Sequence, residues 1–256
     1  MIDPRAVISP QAQIAADVQI GPFTVIGADV VIGAGTWIGP HAVINGPTRI
    51  GMDNKIFQFA SLGDAPQDKK YKGEPTLLEI GDRNVFRESV TVNRGTTHDR
   101  GVTHIGNDNL LMAYSHVAHD CRLGDQIVMA NCATLGGHVE IGDWVTLGGL
   151  SAVHQHTKIG AHCFIAHHAA VTRDVPPYVL AVGRPAVPHS VNSIGLQRRG
   201  FTTEQIRNIR RAYRLVYRSG LKLKAALEEL ENVAVTETEI RDFVEFIKRS
   251  ERSIVR

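Results

Sequence analysis

Cysteine, aromatic residues, long apolar runs and net charge are all in short supply in this 256-residue chain, and each shortage excludes something. Three cysteines, Cys121, Cys132 and Cys163, form an odd set without metal-ligand spacing, which argues against a disulfide framework or a cysteine zinc site. Small buried thiols in a reduced, cytoplasmic protein are the expectation. No apolar run is long enough to span a bilayer, and the first residues lack the apolar stretch of a secretory signal. A net charge of +2 gives no general attraction to nucleic acid. The charge is uneven, however. Residues 1–188 carry 14 basic and 17 acidic side chains, and residues 189–256 carry 14 and 9. The sharpest run, 198–224, has nine basic residues against Glu204 alone. Such a run is either a solvated helix face or a docking patch for a polyanion.

Glycine, at 24 residues, is plentiful, and with aromatics at 6% it suits repeated tight turns better than a helical core. An aliphatic residue recurs at every sixth position from Ile2: Ile8, Ile14, Ile20, Ile26, Ile32, Ile38, Ile44, Ile50, Ile56 and Leu62. The repeat lapses over 63–79 and resumes in phase at Ile80, Phe86 and Val92. It lapses again over 93–104, then runs one position out of phase from Ile105 to Val171. A period of six fits neither a helix nor a long strand. It fits short strands joined by turns, three edges to an 18-residue coil, stacked as a parallel β-helix. The lapses read as loops thrown out of the prism. The period does not fix the hand, and the crossover preference taken alone predicts a right-handed coil.

Beyond Val171 a Gly/Pro-rich connection runs through Pro188, and helical periodicity follows. Ile206, Ile209, Tyr213, Val216 and Tyr217 share one helix face, with Thr202 or Thr203 as N-cap and Gly220 as the stop. Further helices are expected over 191–199, 221–232 and 236–252. The predicted organisation is mainly β: a β-helical domain at 1–188, with loops at 63–79 and 93–104, then a small helical domain at 189–256.

The coil length turns positions into columns. His119, Gly137 and Gln155 form one; Asp120, His138 and His156 form the next; Ala118, Gly136 and His154 form a third. Eight of the twelve histidines lie between 116 and 168. Stacked imidazoles repel one another on protonation unless something uses or satisfies them. One chemistry that fits is a general base, with neutral His119 taking a proton from a hydroxyl nucleophile while Asp120 orients it. Adjacent strand residues point to opposite faces, so this pair requires a turn. Gly137 would leave a bare backbone N–H beside His119 to bind an oxyanion, although a tight turn would also use glycine there. A zinc site from His116, His119 and His138, in a trimeric enzyme of carbonic anhydrase type, is the second reading. A non-catalytic β-helical module is the third.

Taken in order, several motifs resemble the UDP-N-acetylglucosamine acyltransferases of lipid A biosynthesis. They are the six-residue repeat, Gln67-Asp68-x-Lys70-Tyr71-x-Gly73-Glu74-Pro75-Thr76, Arg94-Gly95-Thr96, His116-x-x-His119-Asp120-Cys121, Gly137-His138-Val139, Val153-His154-Gln155 and Arg198-Arg199-Gly200-Phe201. The repeat alone marks only the wider hexapeptide family; the ordered combination is specific and covers nearly the whole chain. The resemblance implies a left-handed β-helix and a homotrimer with its sites in clefts between subunits. It implies transfer of an (R)-3-hydroxyacyl group from acyl carrier protein to the glucosamine 3-OH of UDP-N-acetylglucosamine. The acyl thioester would be a co-substrate, with no cofactor and no metal. It makes His119 the general base, Asp120 its partner and Gly137 the oxyanion donor. Asp68 and Lys70 would hold the sugar and acyl donor, and His116, His138, His154 and Gln155 would line the cleft. Asn192 and Arg198 would contact the nucleotide end, and the basic run 198–224 would dock the acidic carrier.

The chain departs from the family pattern twice. Asn93 stands where many members have His, so an amide replaces the imidazole of those members. His167-His168 falls where some have Gly-Gly in the acyl groove. A bulky His167 in a packed groove implies a chain shortened to about ten carbons. Whether the acceptor is the ordinary sugar or its 3-amino analogue is open at the level of sequence.

Overall fold

The computed structural model describes residues 1–256. Short strands, most only two residues long, wind round a three-sided prism. The first face has nine strands, from Val7–Ile8 to Ala170–Val171; the second has eight, from Gln13–Ile14 to Lys158–Ile159. The third has ten, from Gln19–Ile20 to Val187–Val191, and its last strand runs antiparallel to Val179–Val182. All other pairings are parallel, typified by Ile8 beside Ile26 and Leu135 beside Val153, one 18-residue coil apart.

The recurring aliphatic residue is the inward one of each strand. Ile38, Ile44, Ile56, Leu62, Leu111 and Leu135 have no exposed surface. Truncating any one of them to Ala would cost roughly 2–5 kcal/mol. Two residues earlier sit small or polar buried side chains, including Thr36, Ser115, Cys121 and Cys163. At Asn54, Asn84 and Asn109 this inner position carries an amide ladder. The Asn54 Oδ1 accepts from the Asn84 N–H at 2.9 Å, the Asn84 Oδ1 from the Asn109 N–H at 2.9 Å, and the Asn109 Oδ1 from the Ile127 N–H at 2.7 Å. The ladder satisfies polar groups that burial would otherwise penalise.

The turns correct one expectation. The glycine that follows the aliphatic residue does not make the bend. The residue in the left-handed region lies three past it, as at Phe23, Asp29, His41, Asp53, Asp120, His138 and His156. None of the residues so placed is β-branched, as the sterics of positive φ require. The earlier glycine serves close packing between coils: a Cβ on Gly33 would stand 2.6 Å from the Gly51 carbonyl carbon.

Both lapses are loops, shorter than 63–79 and 93–104 because flanking residues continue the sheets. The first occupies 65–76, between strands Ser61–Asp64 and Leu77–Ile80; at two whole repeats it preserves the phase. The second occupies 94–101, between Thr91–Asn93 and Val102–Ile105. Ile80 pairs with Ile105, seven residues beyond one coil, hence the shift of phase.

Four helices close the chain: α1 (Ser193–Arg198), α2 (Thr203–Arg218), α3 (Leu223–Ala234) and α4 (Thr238–Lys248). Thr202 caps α2 in a reciprocal box with Gln205. The sequence boundary at 188/189 falls inside the last strand, against which α2 packs. One apolar cluster runs continuously from Val18 to Val255. α4 ends earlier than 252 because the chain turns back onto the prism. The Ser250 hydroxyl donates to Asp174 Oδ2 at 2.6 Å, Asp174 bridges to Ile254, and Ile254 and Val255 are buried. No helix is long and apolar enough to cross a membrane.

Candidate active site

The edge between the first and second faces brings together His119, Asp120, His138, His154 and His156. It bears 118–120, 136–138 and 154–156 on three successive coils, and both inserted loops leave the prism along it. The turn at Asp120, with φ of 59°, swings its carboxylate back beside its neighbour. His119 Nδ1 lies 2.9 Å from Asp120 Oδ2, with the His119 side chain 15% exposed and the Asp120 side chain fully buried. Thr96 donates to the same carboxylate from its N–H at 2.9 Å and from its hydroxyl at 2.7 Å. Burial pushes the Asp120 carboxyl up, but the hydrogen bonds from His119 and Thr96 outweigh it and hold it below the ordinary carboxylate value. An ionised Asp120 accepts from Nδ1–H and leaves His119 Nε2 with its lone pair.

Gly137 lies one coil above. A Cβ there would stand 2.7 Å from His119 Cε1 and 2.8 Å from Nε2. Its N–H takes no part in the hydrogen bonding of the chain, whereas its carbonyl accepts from the His156 N–H at 2.9 Å. The glycine is therefore required by close approach to the ring, and the bend itself falls on His138.

The other histidines divide by their partners. His116 Nδ1 bonds the Thr91 hydroxyl at 2.7 Å, and burial, then the neighbouring His119, push this imidazole below its usual value. His138 Nδ1 faces Asp99 Oδ2 at 2.7 Å. His156 stacks on His138 with ring centroids 4.3 Å apart. The His154 and Gln155 pair meets the Arg252 guanidinium, which lies 3.3 Å from His154 Nδ1 and also donates to the Gln155 carbonyl. The groups able to converge on a cation are His119, Asp120 and His138. His116, part of the zinc set considered from the sequence, is not among them.

The remaining sequence candidates are spread over the prism. Asp68 and Lys70 sit in loop 65–76 on the same edge, where the Asp68 carboxylate accepts from the Lys70 N–H at 2.9 Å. Asn93 is buried and donates to the Ala65 carbonyl at 3.0 Å, tying down the base of that loop. His167 is exposed on a different edge, between the third and first faces. Asn192 caps α1 and donates to the His162 carbonyl at 2.9 Å on the third edge, and Arg198 is exposed at the end of α1. One chain thus gathers His116, His119, Asp120, Gly137, His138, His154 and Gln155, but not His167, Asn192 or Arg198, into one place.

Thr96, Asp99 and Arg252 are contacts that the columns miss. The first two ride on the inserted loop, and Arg252 arrives from the far end of the chain. Two cavities lie elsewhere. One, of about 880 Å³, lies between the second face and the helical tail; another, of about 640 Å³, is lined by Asn192, Arg207, Arg210 and Arg214.

A prism of six-residue repeats, with a half-buried His beside a buried Asp and an unbonded backbone N–H, is the architecture of a hexapeptide-repeat transferase. The family described as bacterial transferase hexapeptide (six repeats) matches residues 103–137. The family described as Udp N-acetylglucosamine O-acyltransferase, Domain 2, matches residues 174–255. Similar proteins include acyl-(acyl-carrier-protein)--UDP-N-acetylglucosamine O-acyltransferases from Halorhodospira halophila and a Janthinobacterium species. The first is 54% identical over 255 residues and the second 57% over 260, each alignment covering 100% of this chain and 99% of the relative. The crystal structure of the Moraxella catarrhalis UDP-N-acetylglucosamine O-acyltransferase superimposes with a TM-score of 0.98 at 45% identity, over 100% of this chain and 99% of that one. The Arabidopsis UDP-N-acetylglucosamine acyltransferase gives 0.88 at 32%, with full coverage of both. The chain belongs to the UDP-N-acetylglucosamine O-acyltransferase family. These neighbours are left-handed β-helices, and a superposition this close requires the same hand here.

Proposed function

We infer that this chain is an acyltransferase that carries an acyl group from acyl carrier protein to UDP-N-acetylglucosamine, the first step of lipid A synthesis. The observation that carries the mechanism is the 2.9 Å His119–Asp120 contact beneath the unbonded Gly137 N–H. His119 Nε2 removes the proton from the glucosamine 3-OH as that oxygen attacks the thioester carbonyl. The Gly137 N–H receives the oxyanion of the tetrahedral intermediate. Collapse breaks the C–S bond, and the imidazolium returns its proton to the departing thiolate. Asp120 stays ionised and stabilises the imidazolium between the two transfers. These residues would supply base, orientation and oxyanion donor, so the reaction is read as needing no cofactor, with the acyl thioester as co-substrate. The transferred chain is read as an (R)-3-hydroxyacyl group.

The working unit is a homotrimer in this reading. The residues on one edge make an incomplete site, and a neighbouring copy would supply His167, Asn192 and Arg198 from its other edges. An apolar column supports this. Phe23, Phe59, Tyr114 and Leu150, each half exposed or more, line the edge between the third and first faces, the edge that also bears His167. The body at 1–188 would then hold the chemistry. The tail at 189–256 would dock the acidic carrier through the exposed Arg207, Arg210, Arg211 and Arg214 of α2. The cytoplasm, where the acyl carrier is, would be its site of action.

A mass-spectrometric assay offering UDP-N-acetylglucosamine and its 3-amino analogue, with a panel of acyl carriers, tests the reading. Acylation of neither sugar by any carrier would sink it.

A further inference from the structure

A second carboxylate–imidazole pair stands beside the first. Loop 94–101 folds back over the reactive edge and grips it at three points: Thr96 on Asp120, Asp99 on His138, and Arg100 on Glu140 at 2.9 Å. The His138 side chain is 17% exposed and that of Asp99 34%. His138 meets the His119 ring edge-on with centroids 5.0 Å apart, and it lies flat on His156 with 7° between the planes. Asp120 Oδ2 is 3.9 Å from His138 Nδ1, too far to compete with Asp99 at 2.7 Å, and the positive charge of Arg252, which bonds the neighbouring Gln155 carbonyl, acts on His156. The ring is thus held by stacking, by an edge contact and by one short hydrogen bond. An ionised carboxylate only accepts, so Nδ1 carries the proton and Nε2 is left as an acceptor with no partner in the chain.

We propose that Asp99 is a positioning residue for the acceptor sugar. By binding Nδ1–H it fixes the tautomer and orientation in which His138 Nε2 accepts from a sugar hydroxyl near the one that His119 deprotonates. The inference rests on reading this edge as the reaction site. The sugar is the fitting ligand because its other hydroxyl donors lie on the same ring as the 3-OH that His119 deprotonates, whereas the reacting thioester carbonyl can only accept.

The test compares Asp99→Ala, His138→Gln, the double variant and Arg100→Ala, with His119→Ala alongside. Asp99→Ala is expected to raise KM for the UDP-sugar about tenfold, or about 1.4 kcal/mol, leaving kcat and the KM for acyl carrier within about twofold. The double variant should match His138→Gln alone, because Asp99 acts through that ring. Arg100→Ala loosens the same loop without touching the ring and should leave KM unchanged. An unchanged KM in Asp99→Ala, multiplying effects in the double variant, or an equal rise in Arg100→Ala would each overturn the proposal. If Asp99→Ala fails to fold, the nitrogen-15 shifts of His138 in the unsubstituted enzyme decide: protonated Nδ1 is expected, and protonated Nε2 overturns it. Loss of turnover in His119→Ala establishes the edge independently. If turnover survives there, it is the site reading that fails.

Discussion

The imidazole edge of His119 fills the space in which a side chain on Gly137 would begin, with Cε1 2.7 Å and Nε2 2.8 Å from the position of a Cβ. The His119 ring and the Gly137 backbone are therefore packed directly against each other. Gly137→Ala is expected to push the ring out of register. A displacement near 1 Å lowers turnover by about 10²-fold. Gly137 does not use the left-handed backbone, so the fold itself should tolerate the methyl. Steady-state kinetics with a parallel melting curve check this; full turnover in a folded variant would show that the ring is not constrained there.

In the proposed reaction His119→Ala would remove the proton acceptor and leave the Gly137 N–H in place. Turnover should fall by roughly 10²–10⁴ while the protein still folds, since His119 is partly exposed and its one internal partner, Asp120, keeps Thr96. Unchanged turnover would remove His119 from the mechanism.

Much of this site was legible because 18 is a whole number of repeats. His119, Gly137 and Gln155 fall in one column by counting, and the structure sets the His119 ring against Gly137. Other features had no such signal. Thr96 reaches Asp120 from an insertion whose length breaks the register, so no column predicts the contact. Arg252 meets Gln155 across 97 positions through a tail that turns back onto the prism. The bend at the third residue past each aliphatic was recoverable, because β-branched residues are missing from those positions. Glycine drew attention to the wrong place, since in Gly33 it answers coil-to-coil contact.

Stability should depend on pH through His162. Burial, then the nearby Arg199, push this imidazole down to about 4. A histidine depressed in the folded state is protonated first in the unfolded chain. Acidification therefore favours unfolding as pH falls through the ordinary value near 6.5, and the penalty stops growing once pH passes about 4. The full span is worth at most about 3 kcal/mol. His162→Phe, which keeps a ring against Trp144, Tyr178 and Phe201, should flatten denaturant-measured stability across this window. An identical acid slope in the variant would assign the loss to other groups.

The apolar column predicts the assembly. Leu150 is 53% exposed and Tyr114 66%, both pointing away from the prism core on the edge that carries His167. Leu150→Asp places a charge where a neighbouring copy would pack, and burying it unpaired costs several kcal/mol. Sedimentation should show a trimer for the parent and smaller species for the variant, with activity lost in proportion. A monomeric parent with full activity would refute the shared site.

Acyl length tests the proposed role of His167 most sharply. His167 lies one coil above Gly149, on an edge remote from His119 within its own chain, so it can meet the acyl chain only across a subunit boundary. There it would close a packed groove that glycine would leave open, and close packing resists an added methylene. The parent enzyme should prefer a donor of about ten carbons, because each methylene forced past the ring costs of order 1 kcal/mol. His167→Gly should shift the preference towards the 14-carbon donor and lower turnover of the shorter one, which no longer fills the groove. Competition between carriers of different chain length, read by mass spectrometry of the acylated sugar, measures both. Equal or better use of the 14-carbon donor by the parent enzyme would defeat the assignment.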